Sequence, residues 1–292
     1  MACSSELERG AGAGDSTAVT ARRADLDSVQ REIAKTAAAV DGSVGFAAVH
    51  VESGARLSHN GRERYPMRSV YKVPIALAIL RRVDAGELRR DSVVTVTAAD
   101  FVPGLHSPLR ERTLGKSVRV SVDSLLVLMI AQSDNSASDV LLGLAGGPAA
   151  VTQHLRTLGI NDVRVDRSER ELGRATDGDD DPRDTASPDA MADLLVAVQQ
   201  GRALSRTSHA RLLEMMMQAS TGPNRIRGLL PPGTRVAHKT GTGRPMTNDA
   251  GLVTLPDGGH VAIVVFVRSS APVTKNEAII AQIARTVYDY FS

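Results

Sequence analysis

Residues 250–267 read AGLVTLPDGGHVAIVVFV, two apolar segments joined through Pro256-Asp257-Gly258-Gly259. Asp-Gly and Gly-Gly steps supply the positive-φ positions of a tight hairpin, so the segments on either side are expected to pair as antiparallel strands. Arg235 to His238, just upstream, adds a third strand. Downstream, Thr274 and Glu277 have the spacing of a capping box, and Ile279, Ile280, Ile283, Val287 and Phe291 recur at helical spacing. The other end of the chain has the same parts in reverse order. Asp27 is placed to cap a helix carrying Val29, Ile33, Ala37 and Val40, and Val44 to Val51 then turns at Glu52-Ser53-Gly54 into Arg56 to His59. So few strands at each end cannot bury their own faces. Both ends therefore predict one antiparallel sheet of about five strands flanked by the terminal helices.

What lies between reads as helix. An apolar run follows Pro74, Val122 to Ile130 is capped by Ser121, and Met191 to Gln199 is amphipathic. The expected fold is α/β (α+β) with two lobes: residues 25–66 and 219–292 form the sheet lobe, and residues 67–218 an inserted all-helical lobe. Residues 1–24, rich in Gly, Ala and Ser, are expected to be a disordered tail.

Composition narrows the function classes. The 35 Lys and Arg against 33 Asp and Glu leave a net charge of +2 and a pI near 8.8, with no basic block to draw nucleic acid. The apolar runs fall far short of the roughly 20 residues of a membrane helix, so no membrane span is expected. The single cysteine, Cys3, can form no internal disulfide, and no Cys/His cluster has zinc spacing. Neither metal nor cofactor is expected, and catalysis falls to oxygen and nitrogen groups. Residues 1–24 hold no apolar signal segment; Ala2-Cys3-Ser4-Ser5 could be the remnant of a lipoprotein cleavage site, against the plainer reading of a free tail.

Three short motifs carry chemistry. Ser69-Val70-Tyr71-Lys72 sets a hydroxyl and an ammonium three residues apart, on one face if Ser69 opens a helix. The helix N-terminus would favour an oxyanion there, and a desolvated lysine can act as base. Such a spacing arises by chance roughly 0.4 times in a chain of this composition. Ser133-Asp134-Asn135 after an apolar helix and Lys239-Thr240-Gly241 at the end of a strand are each expected only roughly 0.03 times, which makes coincidence of all three untenable. Ser133 offers a hydroxyl to relay a proton, Asn135 an amide for a carbonyl, and Asp134 a carboxylate for the backbone of its own turn. Lys239 and Thr240 offer donors, and Gly241 would let a substrate approach the strand.

The order of these motifs resembles the penicillin-recognising serine enzymes, a superfamily of β-lactamases and cell-wall peptidases, over about residues 25–292. Asp166-Arg167-Ser168-Glu169-Arg170-Glu171-Leu172, closed by Arg183-Asp184-Thr185, resembles the Ω-loop of class A β-lactamases, here over residues 167–184. The resemblance implies Ser69 as nucleophile, and Glu169, rather than its neighbour Glu171, as the base for the deacylating water. The acylation base stays open between Lys72 and Glu169. It further implies an Arg167–Asp184 pair holding the loop, and an oxyanion hole from the backbone N–H groups of Ser69 and Thr242. The substrate carboxylate would meet Lys239, Thr240 and Thr242. Arg225 stands where some members bind that carboxylate, the alternative being a solvated charge. His106 stands where the family often has an aromatic at the mouth of the site, the alternative being a loop residue with no role. Gly173 departs from the usual asparagine, and the loop is slightly longer than usual in the acidic run Asp177 to Asp181, which reads as solvated. The expected activity is hydrolysis of penicillins and cephalosporins by a monomeric periplasmic or secreted enzyme, with a lipid anchor as the alternative to a free tail. A D-alanyl-D-alanine peptidase and a penicillin-sensing module are the competing functions.

Overall fold

The computed structural model describes the backbone of residues 13–174 and 181–292, and the side chains from residue 25 onward within those ranges. The chain runs as α1 (Ala13–Ala38), β1 (Gly42–His50), β2 (Arg56–His59) and β3 (Tyr65–Pro66), then through a 3-10 turn at Arg68–Tyr71 into α2 (Lys72–Asp84). The inserted region continues with β4 (Val93–Val96), α3 (Pro108–Thr113), β5 (Val118–Ser121), α4 (Val122–Ala131), α5 (Asn135–Leu144), α6 (Pro148–Thr157), α7 (Glu169–Leu172), β6 (Thr185–Ala186), α8 (Pro188–Gln199) and α9 (Arg206–Met217). The chain returns through β7 (Val236–Gly243), β8 (Met246–Thr254) and β9 (His260–Ser269) to α10 (Val273–Phe291).

The main sheet has the order β2-β1-β9-β8-β7, antiparallel throughout, so the two ends of the chain meet at its centre with Phe46 opposite Val265. Alternate residues of a strand face opposite sides. Val261, Ile263 and Val265 share a core with Ile33, Ile280 and Val287 of the terminal helices, whereas Ala262, Val264 and Phe266 share one with the inserted helices. Burial on both faces is why 261–267 has no polar break. Each large side chain so buried contributes about 1.5–3 kcal/mol. In the inserted region α2 is buried from Lys72 to Leu80, apolar nearly all round, as befits a helix enclosed by others. Its first residue is thereby fixed in space, which matters below.

Four local expectations are corrected. α1 begins at Ala13, so Asp27 lies inside it and caps nothing; residues 1–12 of the expected tail lie outside the described residues. α10 follows Pro272 with no side-chain cap, and Glu277 turns instead to Arg225, an ion pair outcompeting a neutral cap. β7 does not end at Gly241, because its ladder with β8 carries on to Gly243 opposite Met246. The inserted region is mainly helical but also holds the ribbons β4–β5 and β3–β6. Among the described residues no helix is long and apolar enough to cross a membrane.

Candidate active site

Ser69 sits in the 3-10 turn that feeds α2, half-buried, and not in the α-helix itself. The residue before it, Arg68, has φ of 51°, a left-handed conformation that costs a non-glycine residue about 1 kcal/mol or more. Packing holds it there. The Asn248 side-chain amide donates to the carbonyls of Pro66 at 2.9 Å and Met67 at 3.1 Å, and the Met67 N–H donates to the Asp184 carbonyl at 2.9 Å. Gly241 of β7 lies flush against the same turn, where a Cβ would fall 2.4 Å from the Met67 carbonyl oxygen and 3.3 Å from Ser69 N. A close approach that requires glycine is thus the one to the Ser69 turn.

Below Ser69 lies a buried cluster of charge. Lys72 Nζ donates to the Ser133 carbonyl at 2.9 Å and to Asn135 Oδ1 at 2.5 Å, and lies 3.0 Å from Glu169 Oε1. Lys239 Nζ donates to Ser133 Oγ at 3.0 Å and to the Thr240 carbonyl at 2.9 Å. The Ser133 hydroxyl therefore stands between two ammonium groups, its Oγ 3.5 Å from Lys72 Nζ. Ser133 itself adopts φ of 58° to reach this position. Burial, with the Lys72 charge beside it, pulls the Lys239 ammonium well below the ordinary lysine range. Asp134 faces away: it caps α5 through Ala137 N and accepts from Ser107 Oγ and Leu109 N, the backbone role read from the sequence.

The loop carrying Glu169 is fastened by carboxylates. Asp184 accepts from the N–H groups of Asp166 (2.8 Å) and Arg167 (3.1 Å), and from Arg167 Nε at 2.6 Å. The pair side chains are only 11% and 6% exposed, so this is no surface ion pair. Asp181, expected in a solvated run, pairs with Arg167 and Arg183 at 2.9 Å; residues 177–180 of that run lie outside the described residues. Asp139 on α5 accepts from the N–H of Glu169 at 2.6 Å and of Arg170 at 3.0 Å, and burial pushes its carboxyl up to about 6 against the pull of those two bonds. The choice between neighbouring glutamates follows from the same turn. Glu171 is held by the Ser168 N–H (2.8 Å) and hydroxyl (2.9 Å) in a capping box facing solvent, and those bonds lower its carboxyl. Glu169 is the one that points inward, to Lys72.

The remaining predicted residues divide. Arg225 is 4% exposed, which rules out a solvated charge: it donates to Glu277 (3.1 Å), the carbonyls of Gly241 and Asn248, and Thr242 Oγ1 (2.7 Å). Thr242 is exposed on β7 beside it, while Thr240 is buried with its hydroxyl 2.6 Å from that of Thr221. The His106 ring is exposed and turned to the Gln132 carbonyl at 3.0 Å, while its own carbonyl accepts from Asn135 N. Among the described residues no cluster of His, Cys, Asp or Glu is placed to hold a metal ion.

Known proteins are similar to this chain in sequence and fold. Residues 28–291 match the model of the β-lactamase enzyme family. The extended-spectrum β-lactamase PER-1 of Pseudomonas aeruginosa is 38% identical over 238 residues, 79% of this chain and 77% of that one. The chain belongs to the class A serine β-lactamases. Among solved structures, a β-lactamase from Chitinophaga pinensis superposes with a TM-score of 0.88 at 36% identity, covering 91% of this chain and all of the other. The TLA-3 extended-spectrum β-lactamase does so with a TM-score of 0.88 at 34% identity, covering 91% and 99%.

In this β-lactamase the backbone does not demand glycine at 173, where φ is −68°. A Cβ there would lie 3.2 Å from Leu105 Cδ1 and 3.3 Å from the Glu169 carbonyl oxygen, a tight fit that a shift of the leucine tip would have to relieve. Sequence reading missed Asp139, Asn248, Thr221 and Glu277. Only Asp139 left a signal, since it follows Asn135 by four residues and so shares its helix face. The others meet it through tertiary contacts, Asn248 with Pro66 and Met67, Thr221 with Thr240, and Glu277 with Arg225.

Proposed function

We propose that this class A β-lactamase opens the lactam amide of penicillins and cephalosporins through an ester on Ser69, and that Glu169 activates the water that hydrolyses the ester. The observation that supports it most is the inward Glu169 carboxylate 3.0 Å from Lys72 Nζ, with Ser133 linking Lys72 to Lys239. In the first step Ser69 Oγ adds to the lactam carbonyl and its proton passes to Glu169 through water, or to Lys72 as a neutral amine after that lysine has given a proton to the Glu169 carboxylate 3.0 Å away. As the C–N bond breaks, Ser133 hands a proton to the lactam nitrogen and is resupplied from a neighbouring ammonium. In the second step water gives a proton to Glu169 and its oxygen adds to the ester carbonyl; Ser69 leaves and recovers its proton. Backbone N–H groups of Ser69 and Thr242 would hold the oxyanion. Thr240, Thr242, Lys239 and Arg225 would meet the substrate carboxylate, with Asn135 on the side-chain amide and His106 at the mouth. The working form is a monomer, periplasmic or secreted.

Nitrocefin turnover, with intact mass after brief benzylpenicillin exposure, tests this in the wild type and Glu169→Ala. Turnover by the wild type and a penicilloyl adduct trapped only in the variant is the expected result. A wild type that itself stays acylated would overturn it in favour of a peptidase or sensor. Thr242 and Gly173 point to cephalosporins. Equal or worse turnover of oxyimino-cephalosporins than in Thr242→Ala, Gly173→Asn would refute that part.

A further inference from the structure

Among the buried cations around Ser69, Lys72 has the Glu169 carboxylate at 3.0 Å and Arg225 has Glu277 at 3.1 Å. Lys239 is as deeply buried, yet the hydrogen bonds of its Nζ go to neutral oxygens, Ser133 Oγ and the Thr240 carbonyl, and among the described residues it makes no ion pair. An ammonium held out of water beside a second ammonium needs a compensating charge close by. Asp249, which takes no part in the chemistry described above, is placed to supply it. It precedes Ala250 on β8, and Ala250 is the cross-strand partner of Lys239. Its side chain lies on the opposite face of the sheet from Lys239, so it is out of reach of Nζ and of substrate, with only strand backbone between the two charges.

The surroundings of Asp249 are built for a charge more than for packing. Asp249 and His238 are both fully buried, and His238 Nδ1 stands 2.9 Å from each carboxylate oxygen. The Ile226 N–H also donates to Oδ2, at 3.2 Å. On the same face of the same two strands, Val236 pairs with Val253. An apolar pair would therefore suit this layer, and such a replacement of buried polar partners is often neutral or stabilising. The strand makes room for the imidazole instead: Gly251 lies opposite His238, where a Cβ would fall 2.6 Å from His238 Cβ. His238 Nε2 is buried and has no hydrogen-bond partner among the described residues. A second N–H there would be a charged donor left unsatisfied, so the ring donates from Nδ1 and leaves the carboxylate its charge.

The charged groups acting on Lys239 are Lys72, Asp249, Glu169 and Arg225. Burial and the Lys72 charge draw its ammonium below the ordinary lysine range, Arg225 adds to the fall, and Asp249 is the foremost charge opposing it, ahead of Glu169. Resting on the reading that Lys239 meets the substrate carboxylate, we propose that Asp249 is the counter-ion of Lys239, a positioning residue that touches no substrate atom and holds the ammonium ready for that carboxylate.

The pH dependence of kcat/KM for benzylpenicillin tests this in the wild type, Asp249→Asn, Asp249→Ser and Lys239→Arg. Both replacements at 249 can still accept from the Ile226 N–H but carry no charge. Each should bring the alkaline fall in kcat/KM down by about one pH unit or more, mainly through KM, while activity near pH 6.5 stays within about threefold of the wild type. An arginine at 239 keeps its charge, so in Lys239→Arg the alkaline fall should move up, and adding Asp249→Asn should not bring it back. A fall unmoved by both replacements at 249 but moved by Lys239→Arg overturns the proposal and leaves Lys239 in its role. A fall unmoved by Lys239→Arg as well overturns that reading of Lys239, and the proposal with it. A loss equal at every pH, or failure of both Asp249 variants to fold, makes the carboxylate structural and overturns the proposal too.

Discussion

β7 reaches the active site as one of five hydrogen-bonded strands, whereas the loop carrying Glu169 reaches it on a few carboxylates. On the first wall, Gly241 and Asn248 press the Ser69 turn into place from a sheet buried on both faces. On the second, Asp139, Asp166 and Asp184 gather the backbone N–H groups of a segment with one turn of helix, α7. The Ser69 turn is thus held mostly by packing, which is insensitive to pH. The Glu169 loop is held by buried charge, where losing one partner leaves the other uncompensated.

The largest effect is expected from Asp184→Ala. It strips two backbone donors and Arg167 of their acceptor, and breaking a buried pair costs about 3–5 kcal/mol. The urea midpoint should fall, and pre-steady-state kinetics should show penicilloyl-enzyme accumulating because the second step slows far more than the first. Equal slowing of both steps would mean that the walls are not independent. Gly241→Ala probes the other wall. Its new methyl must displace the Met67 carbonyl, at a cost of about 1–3 kcal/mol, and should slow acylation with little change in deacylation.

Asp139 gives the comparison a pH signature. Its folded pKa, about 6, lies above the 3.8 of a free aspartate, so the native state binds the proton more tightly. The stability this adds is present below pH 3.8 and lost as the pH rises through 6. Relative to Asp139→Asn, the wild type should gain on the order of 2 kcal/mol in urea unfolding between pH 7.5 and 4.5. A gap that stays constant would show that the carboxyl does not titrate in this window. The smallest effect is expected from Glu171→Gln. An exposed capping box is worth about 1 kcal/mol, and kcat for nitrocefin should be nearly unchanged. A loss comparable to that of Glu169→Ala would reverse their assignment.

The same contrast explains what was legible in the sequence. The hairpin at 250–267 and the helix–strand order of the termini reported the sheet, because period and turn chemistry are local properties. Ser69, Lys72, Ser133, Asn135, Glu169 and Lys239 stood out as short motifs, and the fold brings Lys72, Ser133, Asn135, Glu169 and Lys239 within hydrogen-bond or ion-pair distance of one another in a chain of contacts. The burial of Arg225 against Glu277 was not legible, because 52 residues separate them and α10 had a plausible local use for that glutamate as a cap. Nor was the role of Gly241: spacing cannot say which backbone will approach a glycine. The Leu105 side chain behind Gly173 is of the same kind, a tertiary contact with no local pattern.

The strand order leaves two edges, and they are unequal. β2 is four residues long, too short to recruit much, but β7 is an eight-residue strand at the other rim. Among the described residues no sixth strand closes that rim. Its shield is the inserted lobe, through the Ser69 turn and α9 packed against it. Heat that opens this lobe before the sheet melts would therefore uncover a template for intermolecular pairing, making thermal inactivation a matter of aggregation rate more than of equilibrium stability.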